Sequence, residues 1–393
     1  MLWGALALIG AGGVLILWAS LGPGARVSAP PDPSPEAATP TDTPSTMGEE
    51  EGLNTTSSPS KEPIVPTPTA SATAGTQPTP RTSTPSDDAP SPSHTATGPA
   101  SEPEQGLLYE GRTRWGVGVS VGPISRYDVE ALRLGWYVDW KAQVDPARPE
   151  GAEYAQMVRV KGGTLGRGGE AIAEIAQASP GSLWLIGNEP DVKWQDNVEP
   201  AVYARLYHEA YSGIKGADPT ARVAIGGVTQ PTPLRLRYLE QVLAAYEEAF
   251  GAEMPVDVWN VHNFILREER GSWGVDIPPG LPDERGVLYE IEDGDDMEIF
   301  RRQIVDFRRW MAERGYQDKA LIVSEYGILM PEEYGFSAER VVAFVTRTFD
   351  FFLTASDPAL GYPEDDYRLV QRWCWYSLDA PEDTYPTGRL FDP

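Results

Sequence analysis

Residues 182–191 read SLWLIGNEPD, a short apolar run that ends in a polar tetrapeptide. The run 183–186 is apolar without interruption, as in a parallel strand that is buried on both faces. Asn188 and Glu189 follow at the point where such a strand leaves the core, and charged side chains are rarely buried without a partner or a purpose. The stretch therefore predicts a buried parallel strand with functional polar groups at its C-terminal end.

Seven similar runs occur in the chain, three before this one and four after it. In chain order they cover residues 114–121, 134–140, 154–161, 222–228, 256–264, 320–327 and 372–378. Amphipathic helical patterns separate the later runs, at 201–219, 236–251 and 297–315. In the last pattern Phe300, Ile304 and Phe307 share one face, and Gly315 ends the helix. Strands that alternate with helices predict βα units and a parallel sheet.

Eight strands joined by seven crossovers favour a closed (β/α)8 TIM barrel over an open doubly wound sheet. The predicted domain, residues 106–393, has about 290 residues, a comfortable length for one such barrel. No glycine-rich phosphate loop follows the first run, so a dinucleotide-binding fold has little support. In α/β barrels the chemistry lies at the C-terminal ends of the strands. Functional residues are therefore expected at those ends.

Two segments of different composition precede the predicted barrel. Residues 1–21 contain no charged side chain and are long enough to cross a bilayer as a helix, but VSA at 27–29 also resembles a signal-peptide cleavage site. Either a transmembrane anchor or a signal peptide is expected. Residues 22–105 are rich in Pro, Ser and Thr and predict a disordered, extended stalk. The barrel is therefore expected outside the cytoplasm, anchored at the cell surface or secreted, with the N-terminal segment as its membrane contact.

Composition excludes several classes of function. The formal net charge of −26 argues against a nucleic-acid partner, because phosphate binding needs clustered Lys and Arg. The chain has three histidines, and one of them, His94, lies in the predicted stalk, so a His-rich metal centre is not expected. A single cysteine, Cys374, allows no intrachain disulfide. We expect a monomer that needs no metal and no cofactor.

A second strand end repeats the pattern of the first, since the run 320–327 finishes in SEYG with Glu325 as its carboxylate. The pairing of NEP at strand four with SEYG at strand seven resembles the clan A retaining glycoside hydrolases, which share this TIM barrel. The resemblance implies that Glu189 is the catalytic acid/base, that Glu325 is the nucleophile, and that Asn188 hydrogen-bonds the sugar 2-hydroxyl. It also implies an oligosaccharide or polysaccharide substrate with β-linkages, such as β-glucan.

The implied chemistry is a double displacement. One carboxyl group protonates the leaving oxygen while the other attacks the anomeric carbon, and water then hydrolyses the glycosyl-enzyme. Retention requires the two carboxyl groups to lie about 5–5.5 Å apart. The roles also predict a raised pKa at Glu189 and a lower pKa at Glu325.

The residues that support Glu325 are less clear from the sequence. His262, at the end of the sixth run, is expected to face the barrel mouth and to bond Glu325 or the substrate, although a structural histidine of the core is an equal alternative. Many clan members carry a Tyr two residues after this His, where it holds the nucleophile, but this chain has Phe264 there. Tyr326 and Asn263 are the candidate substitutes.

Tryptophans are the candidate sugar-stacking residues, because their flat rings suit sugar faces. On strand eight, Trp373 and Trp375 share one face by the two-residue alternation of a strand. The resemblance implies that one of them, Trp375 in particular, forms the floor of a sugar-binding subsite. For each of the two, a position in the core is the alternative. Trp194, after NEP, and Trp140, at the end of strand two, are further candidates.

Two other functions compete with the glycosidase. A barrel that binds carbohydrate at the cell surface without turnover is one alternative, and Phe264 in place of the expected Tyr keeps it open. A metal-dependent hydrolase is the other, and the shortage of histidine disfavours it.

Overall fold

The computed structural model describes residues 5–10, 13–18, 111–381 and 387–391. Near the N-terminus, β1 (Ala5–Gly10) pairs antiparallel with β2 (Gly13–Trp18). Within the described residues no helix is both long enough and apolar enough to cross a membrane. The anchor or signal peptide of residues 1–21 stays a prediction, and the predicted stalk of residues 22–105 lies outside the described residues.

Nine strands of the described region form one parallel sheet that closes into a nearly complete barrel. They are β3 (Trp115–Val119), β4 (Trp136–Val138), β5 (Glu153–Tyr154), β6 (Gln156–Val158), β7 (Leu183–Ile186), β8 (Arg222–Ile225), β9 (Val258–His262), β10 (Ala320–Tyr326) and β11 (Arg372–Asp379). Their order is β5-β4-β3-β11-β10-β9-β8-β7-β6. Ala155 alone separates β5 from β6 in the chain, so the two ends of the sheet are adjacent. This arrangement confirms the predicted α/β barrel.

Each of the eight predicted runs coincides with an observed strand, except that the third run is divided into β5 and β6. The two halves pair with different neighbours, β5 with β4 and β6 with β7. Other strands of the sheet, such as β7, pair with both neighbours at once, whereas each half of the third run pairs with only one. The division therefore marks the seam at which the barrel closes.

Five α-helices occur in the described region, after the later strands. They are α1 (Gly169–Ala178), α2 (Pro200–Ala217), α3 (Pro233–Phe250), α4 (Met297–Glu313) and α5 (Ala338–Thr354). The first two crossovers contain only short 3-10 turns, Ile124–Arg126 and Pro149–Gly151, so the expected helix after every strand is not found. Pro146 and Pro149 explain the difference in the second crossover, because a proline lacks a donor and disfavours the helical conformation of the residue before it.

Helix α4 shows how the sequence pattern becomes structure. Asp296 caps its first turn, accepting hydrogen bonds from the backbone N–H groups of Glu298 and Ile299. Such a cap contributes about 1 kcal/mol. The predicted apolar face is buried, since Phe300 and Ile304 are both 0% exposed. The helix thus covers the outer surface of the barrel next to β9 and β10.

Charged side chains join three strands at the seam. The carboxylate of Glu153 on β5 accepts from Arg222 on β8 at 2.6 Å and from Arg372 on β11 at 2.9 Å. Burial raises the pKa of Glu153, but the two guanidinium groups outweigh it and hold the pKa below its ordinary value of 4.5. The carboxylate therefore stabilises the fold above the pKa that it has in the unfolded chain, and this contribution is lost as the pH falls through its lower folded-state pKa.

Replacing Glu153 by Gln should lower the free energy of unfolding by about 3 kcal/mol, because it leaves the buried Arg372 guanidinium without a counter-charge. Urea denaturation at pH 7 measures the change. Glu174→Gln, on the exposed face of α1, is the control and should shift stability by less than about 0.5 kcal/mol. Equal stability of the two variants would show that the seam does not depend on this ion pair.

Candidate active site

Two glutamates and a histidine meet at the C-terminal ends of β7, β9 and β10. The Nδ1 of His262 lies 2.9 Å from Oε1 of Glu189, and its Nε2 lies 3.7 Å from Oε1 of Glu325. One oxygen of each carboxylate and one ring nitrogen all lie within 4.8 Å of one another. The structure therefore brings together the two carboxylates that the sequence analysis selected, with His262 between them.

Strand register and one glycine place the histidine. Glu325 of β10 is paired with His262 of β9, next to a register shift at the end of β10. At Gly227, just after β8, an added Cβ would lie 2.5 Å from Cδ2 of His262, so a larger residue would push the ring aside. The carbonyl of Gly227 also accepts from the backbone N–H of Glu189 at 3.1 Å. This glycine therefore positions both His262 and Glu189.

The turn that carries Glu189 is held in an uncommon conformation. Glu189 has a φ of +43°, in the left-handed region that costs a non-glycine residue of order 1–3 kcal/mol. Asp196, which is fully buried, stabilises the turn by accepting from the backbone N–H groups of Asn188 and Val160, each at 2.9 Å. Arg159 neutralises Asp196 at 2.7 Å. The acid/base candidate is thus fixed by contacts that sequence reasoning did not identify.

Trp140 is the residue that holds Glu325. Its indole N–H donates to Oε1 of Glu325 at 2.6 Å, and both side chains are buried. The indole fits because position 118 on β3 is glycine, where a Cβ would lie 2.8 Å from the ring. Trp140 was selected from the sequence as a sugar-contacting residue. The structure instead gives it the role that the missing Tyr at position 264 leaves open.

The two residues proposed as substitutes for that Tyr do not reach Glu325 with their side chains. The hydroxyl of Tyr326 lies 3.3 Å from Oγ1 of Thr348, on the helix-facing side of β10. The amide of Asn263 donates to the backbone carbonyl of Phe300 at 3.2 Å. Both predictions are wrong. Alternation along β10 explains the first, because neighbouring residues of a strand point to opposite faces.

The strand-eight tryptophans are also on the helix-facing side. Trp373 stacks on Phe352 of α5 at a centroid distance of 5.2 Å. Trp375 contacts the ring of Tyr326 and donates to the carbonyl of Gly388 at 2.7 Å. Both are 1% exposed. They are core residues, and the predicted sugar-binding floor is wrong for each of them.

Tyr376 is the aromatic residue of strand eight that faces the barrel mouth. It directly follows Trp375 in the chain and therefore points to the opposite side of β11. Its ring is 5.7 Å from that of Trp140 and 6.3 Å from that of Phe264. The period-two pattern could have identified it, but the pattern alone does not say which face of the strand is turned inward.

Trp194 lies in the loop after β7 and is partly exposed, with Nζ of Lys193 4.6 Å from its ring centroid. No contact between Trp194 and the two glutamates is found among the described residues. Its proposed place in a sugar-binding surface stays a prediction.

Several buried polar atoms at the strand ends have no hydrogen-bond partner within the described part of the chain. They include Oδ1 of Asn188, Oε2 of Glu189 and Nε2 of His262. The Asn188 amide makes one long contact, to Gln195 at 3.4 Å. A buried polar atom without a partner costs about 1–3 kcal/mol, so a group of them at one place is typical of a site that binds a polar ligand.

The electrostatics of the site differ from the expectation. Burial, together with the charge of Glu189, raises the pKa of Glu325 to about 7, although His262 and the Trp140 hydrogen bond act in the opposite direction. The predicted low pKa of Glu325 is therefore wrong. For His262, burial lowers the pKa, but the charges of Glu325 and Glu189 outweigh it and the net shift is upward. The protonation of Glu325 and that of His262 are therefore linked, because each charge shifts the pKa of the other group.

A buried ion network lies behind the acid/base turn. The Arg235 guanidinium bonds Oδ2 of Asp191 at 2.7 Å and Oε1 of Glu268 at 3.0 Å, and all three side chains are 0% exposed. Burial raises the pKa of Asp191 to about 6, although Arg235 opposes it. Arg235 also donates to the carbonyl of Asp276. The network thus ties the Glu189 turn to the long segment 266–296 after β9.

Glu189, His262 and Glu325 are also the one group of three potential metal ligands found in the described residues. Two carboxylate oxygens and an imidazole nitrogen suit several divalent metals. A metal-dependent reaction therefore has to be tested together with the carboxylate mechanism.

The chain matches no protein-family model, and no curated protein sequence is similar to it. Similar solved structures include an endo-β-1,3-glucanase of family GH128, subgroup II, from Sorangium cellulosum, with 16% identity, a TM-score of 0.46 and coverage of 71% of this chain and 92% of that chain. A subgroup I endo-β-1,3-glucanase from Amycolatopsis mediterranei, in complex with laminaritriose, has 17% identity, a TM-score of 0.45 and the same coverage. A curdlan-specific exo-β-1,3-glucanase from Blastomyces gilchristii has 18% identity, a TM-score of 0.43 and coverage of 67% and 89%.

Replacing Gly227 by Ala should displace His262 and lower the free energy of unfolding by about 1–3 kcal/mol, because the added methyl group overlaps the ring. The control is Gly213→Ala in α2, where an added Cβ meets nothing within 4 Å. This substitution should stabilise the helix by up to about 1 kcal/mol. Urea denaturation of both variants measures the effect. Unchanged stability of the Gly227 variant would contradict the packing described for His262.

Proposed function

We propose that the chain is a retaining glycoside hydrolase that acts on a β-linked polysaccharide of the β-glucan class. The observation that supports it is the approach of Glu189 and Glu325 to within 4.8 Å at one end of the barrel. Carboxyl groups about 5–5.5 Å apart serve retention, whereas inverting enzymes need about 6.5–9.5 Å to admit a water molecule. The short separation therefore favours a double displacement.

In this mechanism Glu189 protonates the glycosidic oxygen while Glu325 attacks the anomeric carbon. The bond from carbon to the leaving oxygen breaks as the bond from carbon to the Glu325 oxygen forms. Glu189, now a carboxylate, takes a proton from water, and the resulting nucleophile releases the sugar from Glu325. Asn188 has a buried oxygen without a partner in the described region. It is the candidate residue for a hydrogen bond to the sugar 2-hydroxyl.

Trp140 and His262 control the charge on the two acids. The indole N–H of Trp140 stabilises the ionised form of Glu325, which is the form that attacks. His262 contacts Glu189 directly and lies close to Glu325, so its proton offsets the charge that the two carboxylates share. The pair can then hold one proton between them, as the first step requires.

A second candidate function is a barrel that binds carbohydrate without hydrolysing it. The observation in its favour is that the side chains of Glu189 and Glu325 are only 3% and 6% exposed. A substrate would have to reach nearly covered oxygens. Binding of oligosaccharides without turnover would support this alternative.

Replacing Glu189 by Gln should lower kcat on a β-glucan by about 10²–10⁴-fold, because general acid catalysis is lost while the shape is kept. Reducing-end assays on a panel that includes β-1,3-glucan, the substrate of the similar solved structures, measure the change. Glu199→Gln, exposed at the start of α2, is the matched control and should retain full activity. Full activity of the Glu189 variant would reject the assignment.

Activity should rise with pH through about 7, because Glu325 has to be ionised to attack and its pKa is about 7. Trp140→Phe removes a hydrogen bond that lowers this pKa, so the acidic limb of kcat/KM should move to higher pH. A pH–rate profile of both proteins measures the shift. A limb that moves to lower pH, or does not move, would contradict the role given to Trp140.

Chelation separates this proposal from a metal-dependent hydrolysis at the same three side chains. Activity that is unchanged after dialysis against EDTA supports the carboxylate mechanism. Loss of activity that Zn²⁺ or Mn²⁺ restores supports the metal.

We also propose that the enzyme works outside the cytoplasm, either anchored by residues 1–21 or secreted. The support is the apolar N-terminal run and the Pro/Ser/Thr-rich segment that follows it. Digestion of the barrel by protease added to intact cells, or its recovery from the medium, tests this location. A barrel that is protected in intact cells and absent from the medium would contradict it.

A further inference from the structure

A cavity of about 190 Å³ opens at the same end of the barrel, between the loop after β3 and the loop after β4. Its walls come from Ser120 and Ile124 in the loop after β3, from Tyr137 on β4, and from Asp139 and Lys141 in the loop after β4. Pockets that hold drug-sized ligands have volumes of about 300–1,000 Å³. This cavity is therefore suited to one small unit rather than to a whole oligosaccharide.

One tripeptide connects the cavity to the catalytic pair. Asp139 and Lys141 line the cavity, whereas Trp140 between them points its indole N–H at Glu325. Trp140 has a φ of +58°, so the backbone turns at this residue. Its side chain therefore points in a different direction from the side chains of Asp139 and Lys141. A ligand in the cavity would thus lie on the other side of the residue that positions the nucleophile.

One wall of the cavity is rigid. The backbone N–H groups of Ser120, Val121 and Gly122 all donate to the carboxylate of Asp379, at 2.6, 3.0 and 2.7 Å. Asp379 is fully buried at the end of β11. Three bonds to one buried carboxylate fix the loop, so the cavity is a formed feature and not a gap under a loose segment.

The other wall is polar and matches the hydroxyl groups of a sugar. The Asp139 carboxylate accepts from the Tyr154 hydroxyl and from Nε2 of Gln143, which hold it in place. Nζ of Lys141 lies 3.8 Å from this carboxylate, and its side chain is 68% exposed, so the ammonium group can turn towards a ligand. The two side chains thus offer a fixed acceptor and a mobile donor, and sugar hydroxyl groups both donate and accept hydrogen bonds.

We propose that this cavity is a remote subsite that binds one sugar residue of the glucan chain, away from the bond that is cleaved. The assignment rests on the proposed function, because it takes the ligand to be part of the same substrate. Occupation of the subsite would strengthen the binding of long chains and leave the chemistry on short ones unchanged.

The test uses full-length protein and β-glucan oligosaccharides of two to six units, in the laminari- and cello- series. Titration calorimetry on the Glu325→Gln protein measures binding without turnover. Lys141→Met, added to this protein, should weaken binding of the longest oligosaccharides about tenfold, the value of one hydrogen bond to a charged group, and leave the disaccharide unaffected. Ala147→Leu, which adds bulk at the exposed rim, should act in the same direction.

Lys319→Met is the matched control, because Lys319 directly precedes β10 and so lies at the opposite end of the barrel. It removes the same charge and should leave binding at every length unchanged. Thermal unfolding curves of all variants confirm that each is folded. Equal losses at all chain lengths, no loss at the longest, or no binding by the parent protein would each overturn the subsite.

Hydrolysis by the protein with Glu325 intact is measured in parallel and separates the two proposals. If the protein hydrolyses glucan but Lys141→Met has no length-dependent effect on binding, the subsite is rejected and the glycosidase proposal is retained. A length-dependent loss of binding in a protein that hydrolyses no glycoside in the panel supports the subsite and rejects the glycosidase.

Discussion

The site depends on the burial of two carboxylates next to each other. Glu189 and Glu325 are removed from solvent and approach within 4.8 Å, so burial and the charge of Glu189 both oppose the ionisation of Glu325. Only positive charge and hydrogen-bond donors aimed at the pair can offset this cost. His262 supplies a donor to one acid and lies 3.7 Å from the other, and the Trp140 indole supplies a second donor. The ends of β4 and β9 place these two donors next to the carboxylates.

The barrel meets the requirement through close approaches of side chain to backbone. Two positions without a Cβ, Gly118 and Gly227, admit the indole and the imidazole. The Glu189 turn keeps its left-handed conformation because buried Asp196 accepts from the backbone N–H of Asn188, next to Glu189, and from that of Val160, after β6. Strain of this kind persists where the surrounding structure determines the conformation, and functional sites are a frequent location for it.

Much of the fold was accessible from sequence, because each barrel strand is a local signal. The apolar runs that end in Asn188–Glu189 and in Glu325 marked both the strands and the two acids, since the carboxyl ends of parallel strands must meet at one edge. The missing helix after β4 follows from Pro146 and Pro149, another local signal that a general (β/α)8 expectation overrode.

The remainder of the site comes from contacts between distant segments. Nothing near Trp140 in the sequence indicates a bond to a residue 185 positions away. The assignment of Trp375 to the mouth and the omission of Tyr376 have the same origin, because alternation gives two faces without saying which is inside. Arg235, which connects Asp191 to Glu268, is likewise defined only when three separate segments have folded together.

The most direct measurement is covalent trapping with a 2-deoxy-2-fluoro-β-glucoside that carries a good leaving group, followed by peptide mass spectrometry. A nucleophile next to a proton donor should yield one sugar attached to the peptide that contains Glu325, and none in the Glu325→Gln protein. Turnover of the parent glucoside without any adduct, or an adduct on a different carboxylate, would contradict the account.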